Sequence, residues 1–285
     1  MMDNKEAVST VIALMLILGI ISTAIAIYSA VYLPGLKQQS EIEQSRQVAD
    51  AFARIGSSID YSLSQKKDVR FRETLPLGGG AVLLSPVRSS GMISIQKEDL
   101  FSMTVTNDSE TKRLGISTVN ISYVPSFTTW EPQGYRWESG FIAVTKDGIA
   151  VPQSSQYGTM YDALADSGGF FSSFIEFETN QQDLLITLIN LTQKSDESCI
   201  TGNSMATVGV NTTLSKDMNI IGVTELVYHD NSRAETDMEP YLKVIYNQMI
   251  LMASDSSFND RTYRLAFNPS VNVTVREVRI EVSVW

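Results

Sequence analysis

Apolar and polar positions follow three different rules along this chain, and the first change of rule comes early. From Val8 to Leu33 there is no charged residue over 26 positions. The polar exceptions Ser9, Thr10, Ser22, Thr23 and Ser29 carry short hydroxyls that can bond back to the carbonyls of their own helix. A buried helix of a soluble domain keeps polar positions on one face, and this segment keeps none. As an α-helix it would run about 39 Å at 1.5 Å per residue, longer than the ~30 Å hydrocarbon core of a bilayer. The pattern therefore predicts a membrane-spanning helix over Val8–Leu33, preceded by a short segment, Met1–Ala7.

Pro34-Gly35 follows, a pair expected to kink or interrupt the helix. Helical spacing then resumes: Ile42, Ala49, Phe52, Ile59 and Leu63 recur at three-, four- and seven-residue intervals, with Ser45 and Gly56 in the same stripe. Glu41, Glu43, Arg46, Asp50 and Arg54 are assigned to other faces. The expectation is an amphipathic stalk over 34–68, helical from about Leu36 to Gln65, whose apolar stripe packs on the domain beyond it or on a neighbouring subunit.

From Val69 the rule changes to short alternating runs bounded by Gly, Pro, Asn and Asp, which predict strands. They fall at Ala81–Leu84, Gly91–Gln96, Ser102–Thr106, Gly115–Tyr123, Gly140–Thr145, Phe170–Phe177, Leu184–Asn190, Met205–Leu214, Ile220–Val227, Thr262–Phe267 and Val271–Val284. The last has a strict period of two, with a bulge expected near Arg276-Glu277. One helix interrupts them: Pro240 suits a first turn, and Tyr241, Val244, Ile245, Gln248, Met249 and Met252 form a stripe ending at Ala253. Tyr157–Ala165 reads as a shorter helical turn. The fold class is α+β, a long N-terminal helix followed by a β-sandwich-like domain over 69–285 with one accessory helix.

Composition narrows the function. A net charge of -10 argues against nucleic acid and against a basic patch for anionic lipid. Cys199 is the only cysteine and is expected to be a small buried apolar residue; His229 is the only histidine and is read as a turn residue. Zinc sites and acid–base triads rarely form without histidine partners. Gly78-Gly79-Gly80 lacks the Lys-Ser/Thr of a phosphate loop and reads as a flexible turn. No cofactor fingerprint or calcium loop is present, and nothing in the sequence marks an enzyme. Five Asn-x-Ser/Thr sequons, at Asn107, Asn120, Asn190, Asn211 and Asn272, are candidate N-glycosylation sites, which would place them outside the cell.

Three modes of insertion are open on these residues. Ala24-Ile25-Ala26 is a small-x-small site for a cleaved secretory signal, although Asp3 and Glu6 spoil the basic cluster such a signal wants. An uncleaved signal anchor is the second. The third rests on Lys5-Glu6-Ala7-Val8-Ser9, which resembles the archaeal class III prepilin signal: a charged residue, a small one, the cut, then an apolar residue opening the membrane helix. Val8-Ser9-Thr10-Val11 also resembles the start of many mature archaeal pilins. Bacterial pilins have Glu at the fifth mature position, where this chain has Ile12.

The resemblance implies cleavage between Ala7 and Val8 by a membrane-embedded prepilin peptidase that reads Glu6 and Ala7. It implies contact with membrane lipid and with other pilin-like subunits through the apolar helix, and a C-terminal domain outside the cell. A head of this size implies a minor pilin or adhesin-type subunit of an archaeal pilus-like structure. Tyr135–Ile142 is similar to a stretch in large-headed archaeal pilin-like surface proteins, with Gly140 expected to serve a strand turn. The alternative is a signal-anchored receptor or ligand-binding module that never assembles.

Overall fold

The computed structural model describes residues 4–79, 88–154, 158–159, 162–163, 168–180, 183–232 and 239–285, the backbone alone over 4–9. An α-helix, α1 (Asn4–Ile27), passes through a π-helical turn at Tyr28–Tyr32 into α2 (Leu33–Gln65). Pro34 does not interrupt this helix. It lies in the first turn of α2, and the strain of its missing N–H is taken up just before it, where Leu33 N–H donates to Tyr28 O, five residues back. Widening one turn in this way makes room for a proline ring that would otherwise meet the preceding turn. Lys66, in the left-handed conformation, ends α2.

The buried face of α2 is broader than the predicted stripe and turned from it. Val48, Ala51, Phe52, Ile55 and Ile59 are fully buried, whereas Ile42 and Ala49 are half-buried. The cause is that sheet lies on both flanks of the helix. It packs against β1 (Val69–Pro76) and β10 (Met205–Leu214) on one side and β4 (Gly134–Glu138) and β5 (Phe141–Lys146) on the other. Each large apolar side chain so buried stabilises the joint by about 1.5–3 kcal/mol. The second half of the helix is thus a core element of the head.

Thirteen strands, joined in one sheet, form most of the rest among the described residues. The spine is β13 (Thr262–Val284), a single strand where the sequence predicted two. Along one edge β10 and then β11 (Met218–Asp230) run head to tail, both antiparallel to it. Along the other, β12 (Asp255–Asn259) covers its start and β8 (Asp183–Gln193) runs parallel to Asn272–Val282. The bulge expected at Arg276-Glu277 is not found, since the pairing with β8 is one to one from Asn272 to Val282; what changes there is the buried face, with Val271, Val273 and Val275 buried before it and Val278, Ile280 and Val282 after it. No register shift with β8 accompanies it, because β8 turns over at the same level, from Leu188 to Ile189. The two strands invert together where β10 gives way to β11, so the spine buries one face below that point and the other above it.

A long hairpin of β2 (Ser90–Asn107) and β3 (Thr111–Ser126) completes the head. A register shift between Asp99 and Phe101 hands β2 from one neighbour, β9 (Cys199–Gly202), to another, β11. From β3 the sheet continues through β4 and β5 to β6 (Ile149–Pro152). Two predicted strands thus join in β2, and β1, β4, β6, β9 and β12 appear where none was predicted.

The expected strand Phe170–Phe177 is divided. Gly168–Ser172 is a short helix, α3, and the strand β7 begins only at Ile175 and runs to Asn180. Phe170, Phe171 and Phe174 are spaced i, i+1, i+4, which puts three rings on one side of a helical turn, and they pack on one another there. The accessory helix α4 spans Glu239–Met249 with Pro240 in its first turn, and stops short of Ala253. It buries Leu242, Ile245, Tyr246 and Met249 and leaves Val244 in solvent. The expected strand Ala81–Leu84 and most of the turn at Tyr157–Ala165 lie outside the described residues.

Candidate functional site: the apolar helix and its joint with the head

Residues Thr10–Gln65 are the one helix among the described residues long and apolar enough to cross a membrane, and none of its apolar half is buried inside the protein. Leu14, Met15, Leu16, Leu18 and Ile20 are each about two-thirds exposed, on every side of α1. A helix apolar all round and in contact with nothing is the solution suited to hydrocarbon, where its backbone groups satisfy one another. Thr23 Oγ1 donates to Gly19 O at 2.8 Å, so this hydroxyl is returned to the helix as expected. Tyr28 and Tyr32 stack at the upper end, ring centroids 6.4 Å apart. Glu6, Ala7 and Val8 lie in the backbone-only opening of α1, their side chains outside the described residues.

Eight residues beyond Leu33 the helix meets the head through a carboxylate. Glu41 was assigned to a face other than the apolar stripe; it is 1% exposed. Its Oε1 accepts from Thr128 N and Thr128 Oγ1 at 2.7 and 2.8 Å. Its Oε2 accepts from Thr129 N, Thr129 Oγ1 and Trp130 N at 2.9, 2.7 and 2.8 Å. Burial pushes this carboxyl up, but the backbone and hydroxyl donors of Thr128 and Thr129 outweigh it and hold the group below its ordinary value of 4.5. The β3–β4 loop is in effect folded around an anion that α2 supplies.

One turn higher, Gln44 Nε2 donates to Leu77 O at 2.9 Å and to Tyr123 Oη at 2.8 Å, while Ser89 Oγ donates to Gln44 Oε1 at 3.1 Å. Burial pushes the Tyr123 hydroxyl up to about 12, so it stays a neutral partner at any physiological pH. Ser45 Oγ lies 3.2 Å from Tyr135 Oη. Gly78 and Gly79 are not simply a loose turn, and Gly80 lies outside the described residues. A Cβ on Gly78 would meet Ser89 O at 2.3 Å, and one on Gly79 would meet Gln44 Oε1 at 2.8 Å. They are glycines because the chain there presses against the joint. Further along, Gly56 makes room for the indole of the fully buried Trp137, whose Nε1 would lie 3.2 Å from an added Cβ.

Other sequence-predicted positions fall as follows. Gly140, with φ +86°, follows Ser139 at φ +52° in the tight turn from β4 to β5, the strand-turn role expected of it. Cys199 is exposed on β9, not buried, because the short strand puts it on the outer side. His229 is not in a turn; it is near the end of β11, exposed, with Nδ1 2.8 Å from Thr262 Oγ1. Met249 is buried against Tyr228, its Sδ 3.3 Å from the hydroxyl.

Of the sequon asparagines, Asn272 is exposed and the others are half-buried. Four amide nitrogens are engaged: Asn107 Nδ2 donates to Ile221 O, Asn120 to Glu98, Asn190 to Glu277 and Asn272 to Asp183. Asn211 accepts from Arg70 through Oδ1. Beside the upper end of α2 a hollow of about 310 Å3 is walled by Asp60, Leu63, Phe141 and Phe170, and burial pushes the Asp60 carboxyl up.

Sequence reading missed Glu41 and Gln44 as joint residues, although their spacing carried a signal. Positions 41, 44, 48, 51, 55 and 59 keep the same three- and four-residue intervals as the buried face. No family model matches this chain, and no curated protein or solved structure matches it either.

Proposed function

We propose that this chain is a membrane-anchored, pilin-like surface subunit, cut from its leader before Val8, whose apolar helix serves first as anchor and then as assembly element. The observation that carries the reading is the division of one unbroken helix. Its first half is apolar and touches nothing else in the protein, and its second half is built into the core of a β head. That arrangement suits a subunit whose helix must move from lipid to the company of other helices without disturbing the head. The small residues Ala13, Gly19, Ala24 and Ala26 would permit close helix approach. The signal at Lys5-Glu6-Ala7-Val8 supports the pilin branch of the reading, and with it a head outside the cell. No catalytic role is assigned, and the head acts by contact, as a minor pilin or adhesin does.

The deciding experiment is the mature N-terminus of the membrane-extracted protein by mass spectrometry. Val8 as first residue is the expected result. An intact Met1 overturns the pilin reading and leaves a signal-anchored binding module, for which the hollow beside Asp60 is the first place to look for a ligand. A start at Ile27, after Ala24-Ile25-Ala26, or at Val31, after the similar Tyr28-Ser29-Ala30, means ordinary secretion without an anchor.

A further inference from the structure

The β3–β4 loop is the part of its hairpin nearest the apolar helix. Trp137 packs at Gly56, Tyr135 meets Ser45, and Thr128–Trp130 close on Glu41. Read backwards from β4, the chain therefore descends α2 toward α1, and the loop is its lowest point on that side. Glu41 is eight residues above Leu33, a rise of about 12 Å along the axis. An apolar stretch of about 39 Å matched to ~30 Å of hydrocarbon by tilting would lower that height in proportion, to about 9 Å. The interfacial layer on each side of the hydrocarbon is itself about 5–7 Å deep. An indole held at this height spans the difference.

Three further features suit that position. Trp130 is 36% exposed although its backbone N–H is fixed to Glu41, so the ring is offered outward from an immobilised base. Lys146 pairs with Glu131, which offsets the charge of the residue next to the ring, while the Glu41 carboxylate is enclosed by its five donors. Val124, two residues before the end of β3, is half-exposed and is paired across the strands with the exposed Met92. Tryptophan and tyrosine gather at the headgroup level because their rings are apolar and their edges polar.

We propose that the β3–β4 loop rests, through Trp130, in the headgroup layer of the same bilayer that holds α1. The head then stands on the membrane at two points, the helix and this loop, and its orientation on the surface is set. The proposal rests on the anchored reading of α1 but does not require prepilin cleavage or assembly.

The test uses the full chain carrying Trp285→Phe, in phosphatidylcholine vesicles containing a minority of lipid with a nitroxide near the headgroup. Trp130 and the buried Trp137 are then the only indoles. Emission is expected to fall roughly twofold with the labelled lipid, as for an indole at the interface, and to be poorly quenched by aqueous acrylamide. Adding Trp130→Phe, a substitution at an exposed ring, should leave the Trp137 signal and abolish the lipid quenching. Emission unaffected by labelled lipid but quenched by acrylamide, in a chain that still floats with the vesicles, overturns the proposal and leaves the anchor standing. A chain that does not float overturns both.

Discussion

A carboxylate buried without partners is among the most costly groups a fold can contain, so Glu41 at 1% exposure demands an account. Five donors supply it, three of them consecutive backbone N–H groups that an uncharged side chain could not satisfy together. Glu41→Gln keeps the shape, removes the charge and turns an NH2 toward donors. It should cost about 2–3 kcal/mol at neutral pH, since hydrogen bonds to a charged group are the strong ones. The pH dependence has a definite sign. The folded group titrates below the ordinary 4.5 despite its burial, so its contribution is fully present above 4.5 and is lost as the pH falls through the lowered value. Denaturant titrations of both forms in detergent should show a constant gap from pH 7 to 5 that closes in more acidic buffer. A gap that persists unchanged at acid pH would mean that the NH2 turned toward donors, not the lost charge, is what weakens the loop. The residue was misassigned from sequence because a charge on a helix looks the same whether water or a loop 87 residues away solvates it.

At the scale of elements, what could be read from the chain was what its own residues decide. The apolar helix, the end of α2 at Gln65 and the alternating strands β10, β11 and β13 carry their period within themselves. The short strands β4, β6, β9 and β12 do not: each has four or five residues and exists because a longer neighbour offers it a partner. Phe170–Phe174 misled for a related reason, since an apolar cluster that short suits a helical turn and a strand alike. The spine β13 gives the sharpest energetic test of the sheet. Ile280 is fully buried on β13 between β10 and β8, whereas Ile221 on β11 is 76% exposed beside a register shift. Ile280→Ala should therefore destabilise by about 2–5 kcal/mol through lost burial and a cavity. Ile221→Ala should stay within about 0.5 kcal/mol. Equal effects in chemical denaturation would contradict the placement of the core along this strand.

The whole molecule joins two parts that are stabilised by different solvents. The head folds because its sheet and the second half of the helix bury apolar surface from water. The first half of the helix buries nothing in the head and is satisfied only by lipid or by other helices. The π turn and Pro34 mark the passage between them, and the first fully buried apolar side chain on the head side is Val48. The two parts should then separate cleanly at the level of the chain. A form beginning at Leu36 keeps Glu41, Gln44, Val48, Phe52, Ile55 and Ile59, hence the whole joint, and is expected to melt at nearly the temperature of the full chain in detergent. It should be soluble without detergent and fail to float with vesicles. A form beginning at Ile55 loses Val48, Ala51 and Phe52 from the core together with the Glu41 and Gln44 anchors, and should not fold. Thermal melts and vesicle flotation on the two truncations distinguish these expectations. Melting of the Leu36 form far below the full chain would mean that α1 contributes to the head after all. That result would also weaken the view of the helix as a part free to change its surroundings, which the assembly reading requires.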